Sequence, residues 1–185
     1  MKNKHKIYLN INNGEYRKAL MKPFVLFLLL TATQLLIGCE KKDEYLAGNL
    51  HGFNHVKGTS VNWFKVNGAY GRGGGGTCCI MVPAKWAPGQ KVLVEWEVDP
   101  DAYATDVPEF NDPTYQDYIK QHKDNYRHYS KMVEVPKYDE PCSMKVHFLP
   151  CQEVKVTLSC KSWGHPDYPI NEPSKMEEPT VCPTK

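Results

Sequence analysis

The sequence has no run of about 20 apolar residues, the length a membrane-spanning helix requires. Its most apolar stretch, Phe24 to Leu30, has signal-peptide length instead. No Cys-x-x-Cys is present, so the commonest zinc and redox spacing is missing. No Gly-x-Ser-x-Gly or His-Glu-x-x-His occurs, which removes the two most recognisable hydrolase signatures. The glycine run Gly71 to Gly76 has no lysine before Thr77, and a strand pattern follows it, so it cannot be a phosphate-binding loop. The acidic stretch after Asp99 fails the EF-hand frame, with Ala104 where glycine belongs and Phe110 where glutamate belongs. These absences leave no assembled catalytic set, no metal site and no cofactor to expect, and the chain reads as a binder and not an enzyme.

The apolar run ends in Leu36-Ile37-Gly38-Cys39, preceded by Lys22. Two aliphatic residues, a glycine and a cysteine at that place form a lipobox, where a bacterial prolipoprotein is cut and its cysteine acylated. Cys39 is therefore the expected lipidation site and the membrane the expected partner through that lipid. Residues 1–38 are expected to be a signal segment, with translation starting at Met21. Residues 39–50 are charged and polar and read as a tether. Glu40, in place of aspartate after the cysteine, points to the outer membrane, with the domain facing the periplasm.

Removing the leader changes the charge. The whole chain carries 23 Lys/Arg and 21 Asp/Glu, but residues 1–38 hold six of the former and one of the latter. From Cys39 onward 17 face 20, a net of −3. A nucleic-acid partner has no electrostatic support. Those 147 residues suffice for one ordinary domain, expected over residues 51–165 with a Pro-rich tail over 166–185.

Alternation dominates this domain. Ser60–Val66, with Val61, Trp63 and Lys65 expected on one face and Asn62, Phe64 and Val66 on the other, and Lys91–Asp99 read as half-buried strands, and Asn67-Gly68 reads as a hairpin turn. Residues 51–55 read as a loop, because Gly52 and Asn54 separate the two histidines. The glycine run reads as a mobile or closely packed backbone loop. Asp112-Pro113 reads as a helix start with Asp as its N-cap, followed by Tyr115, Tyr118, Ile119, His122, Tyr126 and Tyr129 at helical spacing, a stripe expected to pack on a sheet. The expected fold is mainly β, an antiparallel sheet or sandwich-like single domain with one amphipathic helix packed on it.

Ser143–Leu149 and Glu153–Ser159 alternate around Pro150-Cys151-Gln152. One hairpin register pairs Met144 with Leu158, Val146 with Val156 and Phe148 with Val154, all apolar. The other face then carries Lys145 opposite Thr157 and His147 opposite Lys155, which read as solvent-facing. The same register sets Cys142 opposite Cys160, where a cross-strand disulfide fits. Six cysteines beyond Cys39 favour disulfides in an exported protein. Cys78, Cys79, Cys151 and Cys182 remain unassigned, except that neighbours on a regular strand point to opposite faces, which argues against a Cys78–Cys79 bond.

Several of these segments together carry a resemblance: Asn67-Gly68 with the glycine loop, Cys78-Cys79, Pro83-Ala84-Lys85-Trp86, Pro88-Gly89, Val94-Glu95-Trp96, and Val146 to Pro150. Over roughly His51 to Tyr168 the chain resembles an uncharacterised family of bacterial lipoproteins, known only as a domain of unknown function. Cys151, Cys160, Cys182 and Gln152 depart from that family's pattern. Members often lie beside type VI secretion genes, next to lipase-type toxic effectors. The resemblance implies an immunity protein that neutralises such an effector by binding it; the alternative is a structural or assembly lipoprotein of the envelope. Candidate contact residues are Arg72 on the glycine loop, Asp106 and Glu109 on the acidic loop, and the tryptophans Trp86 and Trp163, expected to be exposed.

Overall fold

The computed structural model describes residues 44–183, which lie within one compact unit. Cys39, the signal segment and the first residues of the tether lie outside the described residues. The elements are β1 (Tyr45–Asn54), β2 (Ser60–Val66), β3 (Ala69–Gly71), β4 (Gly76–Pro83), β5 (Lys91–Asp99), α1 (Tyr115–Asp124), β6 (Arg127–Glu134), β7 (Ser143–Leu149) and β8 (Glu153–Ser159). They form two four-stranded sheets, ordered β4-β1-β7-β8 and β3-β2-β5-β6. All pairings are antiparallel except β1 with β7. Among the described residues the fold is mainly β with one α-helix, the class that the alternation predicts.

The sheets face each other over one core. Leu50, Ile80, Val82, Met144, Val146, Phe148 and Val156 come from the first sheet, and Phe64, Val66, Val92, Val94 and Trp96 from the second. Phe148 joins them, its ring 5.3 Å from Phe64 and 5.7 Å from Trp96. Such aromatic pairs add about 0.5–1.5 kcal/mol each beyond the area they bury. Phe64 is wedged against backbone. A Cβ on Gly52 would stand 2.5 Å from its ring and one on Gly71 2.4 Å, so both positions require glycine for space. Asn67 (φ 47°) and Gly68 (φ 86°) make the tight turn between β2 and β3.

The β7–β8 register is the one the apolar pairs predict, from Ser143 opposite Ser159 to Leu149 opposite Glu153. Cys142 and Cys160 are disulfide-bonded beyond its open end, their Cα atoms 5.0 Å apart. At the closed end Cys151 and Gln152 take left-handed backbone at φ 60° and 54°, without a glycine. Cys151 is bonded to Cys182.

The structure corrects five expectations. β1 runs from Tyr45, so the second half of the expected tether and the expected loop at 51–55 are largely strand, paired with β4 on one side and β7 on the other. In β2 the bulge between Val61 and Trp63 resets the alternation, so Val61, Phe64 and Val66 share the buried face. Cys78 and Cys79 are bonded to each other through a cis peptide. A bulge in β4 leaves Cys79 without a partner in β1, which removes the strict alternation that argued against the pair. The helix begins at Tyr115, after Thr114, and none of its residues is fully buried. The stripe from Tyr115 to Tyr126 lies half-buried outside the core, and Tyr129, expected on the same helix, belongs to β6 and packs against the core. Finally, the outer face of the first sheet is not solvated: Lys145, His147 and Thr157 are all buried.

That last correction has a clear cause. The C-terminal segment from Cys160 to Cys182 has no strand or helix of its own but lies as a strap over the outer face. Met176 N–H donates to the His55 carbonyl (2.7 Å) and Lys57 N–H to the Met176 carbonyl (2.8 Å). Lys155 pairs with Glu172 at 2.5 Å, and the strap's own Tyr168 and Ile170 are buried. The glycine loop is held too: Gly74 N–H donates to the Gly52 carbonyl (3.1 Å), and a Cβ on Gly73 would collide with the Val61 carbonyl.

Candidate functional site

Exposed large apolar side chains occur at several places, Met81 and Met132 among them, and the segment between β5 and α1 gathers three of them in one loop. It leaves large apolar side chains in water: Tyr103 is 74% exposed, Phe110 82% and Val107 47%. Between them stand Asp101, Asp106 and Glu109, all exposed. Burying such side chains is worth roughly 1.5–3 kcal/mol each, so a loop that displays three has surface ready for a partner.

Local hydrogen bonds hold this loop in shape. Asp99, 7% exposed, accepts from the Asp101 N–H at 2.9 Å and pairs with His122 Nε2 at 3.0 Å. The start of the loop is thereby tied to the last turn of α1. At the other end Asp112 accepts from both the backbone N–H (2.8 Å) and the hydroxyl (2.7 Å) of Thr114, which hold its carboxyl below the usual carboxylate range. Asp112 is thus an Asx turn before the helix and not its cap. Phe110 rests edge-on against Tyr115, their rings 5.3 Å apart.

Loop and helix enclose an open cleft of about 510 Å³, lined by Asp101, Tyr103, Asp106, Tyr118, His122 and Asn125. Desolvation, and after it the charges of Asp106, Asp101 and Asp99, push the Tyr118 phenol above its ordinary value. Tyr126 is raised by desolvation and by Asp99 and Glu97. The site is therefore negative in sign and aromatic in lining, which suits a cationic side chain.

Of the sequence-level candidates, Asp106 and Glu109 lie on this loop. Arg72 is exposed on the glycine loop, as that reading requires. Trp86 is not a free aromatic contact: it is half-buried against the core, and its indole N–H donates to the Val135 carbonyl at 2.9 Å. Trp163 is half-buried in the strap, its ring 5.2 Å from Phe53 and 4.9 Å from His55. Glu140 lies beside the Cys142–Cys160 disulfide and Glu178 beside Cys151–Cys182. Bonded sulfurs present no thiolate to a metal.

Sequence reasoning missed a buried polar chain beneath the strap. His55 Nδ1 lies 2.6 Å from the Pro173 carbonyl, His55 Nε2 2.8 Å from His147 Nδ1, and His147 Nε2 2.6 Å from the Tyr168 hydroxyl. The carbonyl can only accept, so His55 Nδ1 carries a proton and its Nε2 accepts. His147 then donates from Nδ1 and accepts at Nε2, and Tyr168 donates its hydroxyl. With both rings in the neutral form, that one carbonyl fixes three protons. Burial, then the positive charge of His55 in its protonated form and of Lys145 and Lys155, lowers His147 to about 3; burial raises Tyr168. The signals present in the sequence were Tyr168 and Ile170, two bulky apolar residues in an otherwise proline-rich and polar tail.

Neither the curated proteins nor the solved structures contain a match to this chain. One family model does match, over residues 53–156, which is more than half of the chain. The matched region runs from the end of β1 into β8, holds the acidic loop and helix, and stops before the strap. The chain belongs to the family described as "Protein of unknown function (DUF3304)".

Proposed function

We propose that this protein is a lipid-anchored envelope lipoprotein that acts by binding another protein, with the Asp99–Phe110 loop and α1 as its docking face. The observation that carries the reading is the display of Tyr103, Val107 and Phe110 among Asp101, Asp106 and Glu109. Aromatic anchors ringed by charge are the composition of a protein-binding patch, and the negative field selects a partner with a basic contact surface. Acylated Cys39 would hold the domain at the periplasmic face of the outer membrane, where such a partner acts. The specific form of this proposal is an immunity protein: a stoichiometric inhibitor that occludes a lipase-type effector delivered by type VI secretion.

The test is to identify the neighbouring gene and, where it encodes a lipase-like effector, to express that effector in the periplasm with and without this protein. Survival only with it supports immunity. Equal killing in both cases contradicts it and favours a structural or assembly lipoprotein of the envelope.

A further inference from the structure

Lys145 is a buried cation without a counter-ion. It is 7% exposed, yet among the described residues no carboxylate pairs with it. Its ammonium donates one hydrogen bond, to the Ser159 carbonyl, and stands 5.9 Å from the Tyr168 ring centroid. An ammonium has three protons to donate. A buried charge normally carries a partner, because its desolvation otherwise costs several kcal/mol.

Lys145 also lines a groove of about 380 Å³ at the edge of the strap, within the size range of small-molecule sites. Cross-strand register places His51 beside Lys145 on the same face. Ser143, Ser162 and the indole of Trp163 complete the polar and aromatic parts of the wall. The Cys142–Cys160 disulfide closes one end. No acidic residue lines it. After desolvation, the Lys145 charge is what lowers His51, so His51 registers how far that charge is neutralised.

We infer that this groove is a binding site for a small-molecule oxyanion, a carboxylate or phosphate that supplies the missing counter-charge to Lys145 while its body packs on Trp163. The serine hydroxyls give the oxyanion further donors, and the aromatic wall favours a flat substituent. This site uses none of the docking-loop residues and stands independently of the proposed function.

The test is titration of the full chain with inorganic phosphate and, separately, with benzoate, at constant ionic strength and near neutral pH. Trp163 fluorescence and the His51 ring resonances are the readouts. The expected result is a saturable change with millimolar half-saturation, accompanied by an upward move of the His51 titration midpoint as Lys145 is neutralised. Response to both probes assigns the site to the oxyanion alone; response to benzoate only assigns it to a carboxylate with a flat body. Lys145→Met keeps the side-chain length, removes the charge and abolishes the response. No saturable response in the unaltered protein, an unmoved His51 midpoint, or a response that persists in Lys145→Met overturns the proposal.

Discussion

His55 and His147 meet side by side in the interior, Nε2 of one 2.8 Å from Nδ1 of the other, both with no exposed surface. Two imidazoles this close can share a proton only if at least one stays neutral, and the Pro173 carbonyl assigns which nitrogen carries it. The pair therefore belongs to the fold's stability and not to chemistry at a surface. It also makes that stability sensitive to acid.

His147 has its folded value lowered from 6.5 to about 3. Below about pH 6.5 the unfolded chain takes up a proton that the folded chain refuses until about pH 3. Unfolded protein therefore binds more protons in that window, and stability falls as pH drops, by about 1.4 kcal/mol per pH unit from this group. Urea melts of wild type and His147→Leu between pH 7 and 4 check this. The variant starts less stable, and its curve is flatter by that slope; parallel curves would contradict the assignment.

Tyr168→Phe keeps the ring under the strap and removes only the hydroxyl that donates to His147. The buried Nε2 loses its donor, so the expected cost is about 1–3 kcal/mol in denaturant unfolding. A neutral substitution would mean that the hydroxyl is not the donor.

The Cys151–Cys182 bond spans 31 residues and fastens the strap to the β7–β8 turn. Replacing Cys182 with serine costs about 3–4 kcal/mol on the chain-entropy estimate. The loss is local in origin, so the amide of Met176, bonded to the His55 carbonyl, exchanges faster while amides in β5 keep their protection ranking. Hydrogen exchange resolved by residue reads this directly, and non-reducing peptide mapping confirms the pairing.

At Gly71 a methyl group would lie 2.4 Å from the Phe64 ring. Gly71→Ala must displace a fully buried aromatic, with an expected cost of about 1–3 kcal/mol. Gly75→Ala, where nothing stands within 4 Å, is the control and changes thermal stability little.

How far the fold was legible depended on where alternation held. β5 and the β7–β8 hairpin alternate without interruption, so their faces and the opposition of Cys142 and Cys160 could be read residue by residue. Two bulges broke the reading elsewhere, one shifting Trp63 against Val61 and one at Cys79, because an inserted residue leaves no mark in an apolar pattern. His147 was misread as solvent-facing for a different reason. Its cover comes from Trp163 to Met176, a segment without periodicity that is held by backbone hydrogen bonds, a salt bridge and a disulfide. The acidic character of the Asp99–Phe110 loop was visible; the exposure of Tyr103 and Phe110 was not, since no periodicity in the loop says which way an aromatic side chain faces.

The central claim is that the Asp99–Phe110 loop binds a protein partner, and one variant tests it most directly. Tyr103→Ser combined with Phe110→Ser removes the two most exposed aromatics among the described residues, which are not part of the core, so the melting temperature is expected to stay within a few degrees of wild type. Co-purification with the effector that the wild type neutralises in the periplasmic expression test, and protection of cells from it, are expected to be lost in the same variant. Retention of both binding and protection at unchanged stability would contradict the claim.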